Sequence, residues 1–150
     1  MLIGIAGHTG TGNTSLAQRL SRLFPHYGFI DLSYSEAEQH IDPMETCDGV
    51  IITVNPLEGP MPGTKAAISD CKSSNRKIIG FCMTHLDVFD KQSKYGPHIK
   101  ELVEVEAREL ASCYEYLDDK IPAVKIGLVT GCDEALKDFF HNVLTYYNSI

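Results

Sequence analysis

Apolar and polar positions along the chain fall into two alternating rhythms. Leu2-Ile3-Gly4-Ile5-Ala6 is short and almost wholly apolar, as expected of a strand buried on both faces of a parallel sheet. From Ser15 to Phe24, Leu16, Leu20, Leu23 and Phe24 recur at helical spacing. Gln18, Arg19 and Arg22 take the outer face, and Pro25 ends the helix. Residues 27–32 read as a second strand. Ser35-Glu36-Ala37-Glu38 opens like a capping box and predicts a short helix toward Ile41, interrupted by Pro43.

Gly49-Val50-Ile51-Ile52-Thr53-Val54 is the strongest strand pattern. Residues 55–63 are dense in Pro and Gly and read as loop. A helix is predicted from Thr64 to about Ser73, a buried strand over 77–83 and a polar loop over 90–97. Ile99, Leu102, Val103, Glu106, Leu110 and Tyr114 mark a long amphipathic helix. Residues 123–129 form the last predicted strand. Leu136, Phe139, Phe140, Val143, Leu144 and Tyr147 mark the inner face of the last helix. Strands alternating with helices predict one α/β domain with a mostly parallel sheet and helices on both faces.

Composition bounds the chemistry. The 150 residues suffice for one sizeable core. A formal charge of −7 offers no footprint for DNA or an anionic membrane. Cys47, Cys71, Cys82, Cys113 and Cys132 are odd in number, widely spaced and without a Cys-x-x-Cys pair. They read as reduced thiols, several filling the core, rather than as zinc ligands. The N-terminus lacks a basic segment and its apolar run is too short for a signal or a membrane span, so the expected location is the cytoplasm.

The candidate chemistry lies at Gly7-His8-Thr9-Gly10-Thr11-Gly12-Asn13-Thr14, between the first strand and the first helix. The spacing fits the phosphate-binding pattern G-x-x-x-x-G-K-[ST], except that Asn13 stands in place of Lys. In such a turn the backbone N–H groups and the helix N-terminus wrap phosphate oxygens. Thr14 keeps the hydroxyl that would hold Mg²⁺, while Asn13 supplies no cation for the β- and γ-phosphates. The competing reading is a glycine-rich turn that joins strand to helix and binds nothing.

The rest of the chain bears a resemblance. Asp48-Gly49-Val50-Ile51-Ile52-Thr53-Val54, followed by Glu58-Gly59-Pro60-Met61-Pro62-Gly63-Thr64, resembles the GTP-binding domain of elongation factor Tu, where a D-G-x-x-x-V-V strand leads into D-G-P-M-P-Q-T. Gly7-His8 matches that family's G-H opening, and residues 103–110 match its long acidic helix. The similarity runs in order over nearly the whole chain. It implies a P-loop NTPase-like three-layer fold, with GTP or GDP and Mg²⁺ as ligands.

Residue by residue, the resemblance implies an eroded site. The phosphate turn would be Gly7 to Thr14 with Ser15. The base-reading N-K-x-D falls on Thr84-His85-Leu86-Asp87. Asp87 keeps the carboxylate for guanine, with a plain turn residue as the alternative; Thr84 and His85 replace Asn and Lys. The second base motif falls near Gly127-Leu128-Val129 without its Ser and Ala. The D-x-x-G-H motif falls on residues 31–35. Asp31 remains for Mg²⁺ beside Thr14, Tyr34 replaces the Gly that senses the γ-phosphate, and Ser35 replaces the His that positions water. Between Thr14 and Asp31 there is no room for the first switch loop. His26 and His40 are not fixed as substitutes.

The expected function is therefore a degenerate, stand-alone G domain with weak or absent nucleotide binding and little hydrolysis, acting through a protein partner. The alternative is a slow but active GTPase. A decoy for a translation partner is a further reading. No second or third β-barrel domain is expected after Ile150, so tRNA binding is not expected.

Overall fold

In the computed structural model, residues 1–35, 41–86, 98–128 and 132–150 are described. Five strands, β1 (Leu2–His8), β2 (Gly28–Tyr34), β3 (Gly49–Val54), β4 (Ile78–Met83) and β5 (Ala123–Lys125), form one parallel sheet in the order β2-β1-β3-β4-β5. The helices are α1 (Asn13–Leu23), α2 (Ile41–Thr46), α3 (Pro62–Ser73), α4 (His98–Ser112) and α5 (Asp133–Ser149).

Both faces of the sheet are covered, which is why the central strands β1, β3 and β4 read as nearly continuous apolar runs. Ile3, Ile5 and Ile51 pack with Leu16 and Leu20 of α1 and with Leu136, Phe139 and Phe140 of α5. On the other face Val50, Ile52 and Val54 pack with Ala67, Ile68 and Cys71 of α3 and with Val103 and Ala107 of α4. Cys47, Cys71, Cys82 and Cys132 are buried free thiols, as expected, and Cys113 is exposed. Burial pushes the Cys71 and Cys82 thiols up, away from the reactive thiolate. No described helix is long and apolar enough to cross a membrane.

Several boundaries differ from expectation. β1 and β2 each run to the rim of the sheet, where His8 pairs with Tyr34, because pairing continues after the apolar pattern stops. β5 is shorter than predicted. It ends at Lys125, although the Ile126 N–H still bonds to the Met83 carbonyl. α3 begins at Pro62, inside the predicted loop; proline at the first helical position gives up no intrahelical bond, and Met61 donates its N–H to Thr64 Oγ1 at 3.0 Å. Pro43 lies inside α2 instead of interrupting it, at the third position, where a helix requires no N–H donor. The capping box at Ser35 and the loop over 90–97 fall largely or wholly outside the described residues.

Chain order sends the connection after β1 to one side of the sheet and the one after β2 back across it to β3. The carboxyl ends of β1 and β3 thus flank a topological switch point, the place where α/β sheets bind ligands.

Candidate functional site

The Gly7–Thr14 turn occupies that switch point. Gly10 and Gly12 have φ of 85° and 82°, values that glycine alone adopts readily. The turn closes with the Thr11 N–H on the His8 carbonyl at 3.1 Å, and α1 starts at once. No side chain caps the start of α1, so the orphan N–H groups of its first turn remain available to an anion. Thr9, Gly10, Thr14 and Ser15 are exposed at the rim.

The floor of the turn is a buried polar network. Asn13 is only 3% exposed. Its amide nitrogen donates to the Gly7 carbonyl and to Ser33 Oγ, each at 3.3 Å. Its oxygen accepts from the Thr53 hydroxyl, with Thr11 Oγ1 at 3.1 Å. Thr11 donates to the His8 carbonyl at 2.7 Å and lies 2.9 Å from Thr53 Oγ1. The residue standing in place of the lysine thus has its side-chain bonds inside the protein, joining β1, β2 and β3. Its backbone N–H still belongs to the first turn of α1.

Thr14 and Asp31 meet: the threonine hydroxyl donates to Asp31 Oδ2, and Ser33 donates to Oδ1 at 2.8 Å. This exposed pair of hard oxygen donors fits Mg²⁺. Thr84, buried after β4, donates to the Thr11 carbonyl at 2.7 Å, so its hydroxyl braces the turn where the resemblance has Asn. A hydroxyl has one proton; giving it to Thr11 leaves His85 Nδ1, 2.8 Å away, as the donor to Thr84. His85 sits at φ 60°. A side chain at Gly12 would meet Leu128 Cδ1 at 2.5 Å and His85 Cε1 at 3.5 Å. The structure therefore gathers Gly7 to Ser15, Thr84, His85, Leu128 and the adjoining Gly127. Asp87 and Val129 lie outside the described residues.

Several side chains shape the site in ways the motifs do not state. Arg19, predicted merely to face outward, donates to the Leu128 carbonyl and to Cys132 Sγ at 3.1 Å, tying the chain after β5 to α1. His8 Nδ1 accepts the Gly63 N–H at 3.0 Å. A Cβ at Gly63 would come within 2.5 Å of both His8 Nδ1 and the Tyr34 carbonyl, which accounts for glycine where the resemblance has Gln. Tyr34 turns into the core and donates to the buried Asp70 at 2.9 Å. Burial first, and the adjoining Asp70 second, push its phenol well above the ordinary tyrosine range. One signal in the sequence pointed to the floor: Thr53, a lone hydroxyl within the apolar run of β3, needs a partner when buried.

Among solved structures, a bacterial selenocysteine-specific elongation factor, EF-Sec, aligns with 97% of the chain at a TM-score of 0.76 and 23% identity, over 28% of its own length. Translation elongation factor SelB of Methanococcus maripaludis aligns in its apo form with 99% of the chain (TM-score 0.72, 20% identity, 33% of SelB). Its complex with the GTP analogue GppNHp aligns with 97% (TM-score 0.73, 20% identity, 34% of SelB). No family model matches the sequence. The fold is thus the P-loop NTPase-like α/β fold found in these elongation factors, and the chain spans about a third of their length.

Proposed function

We propose that this chain is a degenerate G domain of the translational-GTPase type. It holds GDP or GTP with Mg²⁺ weakly or not at all, hydrolyses little or no GTP, and works through a protein partner in the cytoplasm. The observation that carries the reading is the burial of Asn13. The backbone of the Gly7–Thr14 turn, the uncapped start of α1 and the Thr14–Asp31 pair suit the phosphates and a magnesium ion. Bound nucleotide would supply the anhydride and the metal its charge neutralisation; the chain's own residues would orient the phosphates and do little more. Phosphoryl transfer depends on cations and a positioned water around a charged transition state. At the corresponding places this chain has a buried amide, a core tyrosine at Tyr34 and a serine at Ser35.

Losing one charged phosphate contact costs about 2–5 kcal/mol, a weakening of roughly thirtyfold to several thousandfold. Calorimetric titration with GDP–Mg²⁺, together with a phosphate-release assay, tests the reading. Affinity weaker than about micromolar with negligible turnover is expected. Micromolar or tighter binding with measurable hydrolysis overturns it in favour of a slow GTPase, a second reading that the Thr14–Asp31 juxtaposition and the Thr84 brace support.

A further inference from the structure

The two edges of the sheet are defended very differently. β5, at one edge, is three residues long and carries Lys125, whose ammonium pairs with Glu104 at 2.9 Å. Short length and lysine are the usual protections of an edge strand against added strands. β2, at the other edge, is seven residues long and contains neither lysine nor proline. Its register with β1 is unbroken from Gly28 to Tyr34, so no bulge twists it away.

The backbone phase of β2 follows from its ends. The Gly28 N–H bonds to the Met1 carbonyl, and the Tyr34 carbonyl accepts the Thr9 N–H. In a parallel ladder, residues two apart face the same neighbour, so Gly28, Ile30, Leu32 and Tyr34 face β1. The N–H and C=O groups of Phe29 and Asp31 therefore point out of the sheet. The side chain of Asp31, the only charge on the strand, is exposed at its middle and turned toward Thr14 and Ser33.

We propose that the β2 edge receives an extended segment of another protein, with a basic residue at its centre, as an added strand. The outward backbone groups specify a strand as occupant. Asp31 and the chain's charge of −7 favour a cationic one. A second copy of this chain is the poorer fit. Two β2 edges paired about their midpoints set Asp31 against Asp31, and like charges directly opposite are destabilising.

This proposal rests on the protein-partner part of the proposed function; it shares Asp31 with the magnesium reading, so the peptide experiment is run without nucleotide or Mg²⁺. The probe is a short peptide of alternating valine and threonine with one central lysine, added to the intact chain and followed by amide hydrogen exchange. Exchange at Phe29 and Asp31 is expected to slow saturably, by about tenfold or more. The lysine peptide should bind roughly twofold to tenfold more tightly than its glutamate counterpart. The same peptide N-methylated through its middle should give no protection. Protection at Ala123–Lys125 instead, equal binding of the two charged peptides, or no protection anywhere overturns the proposal. So does protection of Phe29 and Asp31 without peptide that rises with protein concentration as the sedimenting mass doubles, since that makes a second copy the occupant. Because no readout involves nucleotide, failure here leaves the titration with GDP–Mg²⁺ standing, and failure there leaves this edge standing.

Discussion

Within the Gly7–Thr14 turn, Thr9, Gly10 and Thr14 face solvent, whereas Thr11 and Asn13 are as buried as the strands beneath them. The outer set consists of backbone and exposed hydroxyl: Gly10 at positive φ, the free start of α1, and Thr14 against Asp31. The inner set has become core, with Asn13 bonded across three strands. Backbone donors persist wherever the turn folds, because glycine and helix geometry supply them whatever the side chains are. In the pattern G-x-x-x-x-G-K-[ST] the cation rests on one side chain, and here the residue at that position, Asn13, is bonded within the core.

The sharpest way to break the contrast is to alter Asn13. Asn13→Ala removes an amide that satisfies Gly7, Ser33 and Thr53 in a buried place, at a cost of about 2–3 kcal/mol, since unmet buried hydrogen bonds cost about 1–3 kcal/mol each. Chemical denaturation should show that loss with little change in nucleotide binding. Asn13→Lys should lose comparable stability yet tighten GDP–Mg²⁺ binding by about tenfold or more, as the long side chain carries its charge out to the rim. Lower stability without tighter binding would mean that the rim is not shaped for phosphate at all.

Much of this arrangement was open to the sequence, and the remainder was closed for a physical reason. All five strands lie where the sequence pattern placed them. β1, β3 and β4 read as apolar runs because they are buried on two faces, whereas the edge strands β2 and β5 are only partly buried and carry Asp31 and Lys125. β3 and β4 end where they were placed, while β1 and β2 stop where His8 meets Tyr34 and β5 stops at Lys125, as pairing dictates. The turn itself was legible from glycine spacing. The inward aim of Asn13 was not, because Ser33 and Thr53 arrive from other strands. Arg19 likewise followed the helical pattern of an outer face, while its guanidinium is held by Leu128 and Cys132, more than a hundred residues away in sequence.

Tyr34 tests a second part of the floor. Tyr34→Phe removes a hydrogen bond to a carboxylate, worth about 1.5–2 kcal/mol, and should leave nucleotide binding unchanged. The raised phenol adds a pH signature. With its folded value above the ordinary 10.0, the phenol's contribution is fully present below pH 10. It fades as pH rises further, because only the unfolded chain ionises there. Tyr116 and Tyr146 are also raised, burial being the main cause, so the readout is the difference between wild type and variant. Above pH 10 that difference should narrow by up to about 1.4 kcal/mol per pH unit. A constant difference would show that Tyr34 reaches solvent in the folded state.

The smallest effect on stability is expected at the rim, where it is also the most informative. Thr14→Ala deletes an exposed hydroxyl whose partner, Asp31, keeps Ser33 and water. Surface changes of this kind stay within about 0.5 kcal/mol. If Thr14 and Asp31 together hold Mg²⁺, whatever affinity the wild type has for GDP should lose its dependence on magnesium in the variant while the melting transition barely moves. If magnesium dependence survives, the hydroxyl is only a partner for Asp31, and the rim is then as structural as the floor. The contrast between the two halves of the turn therefore stands or falls on the one position where a change is nearly silent to folding.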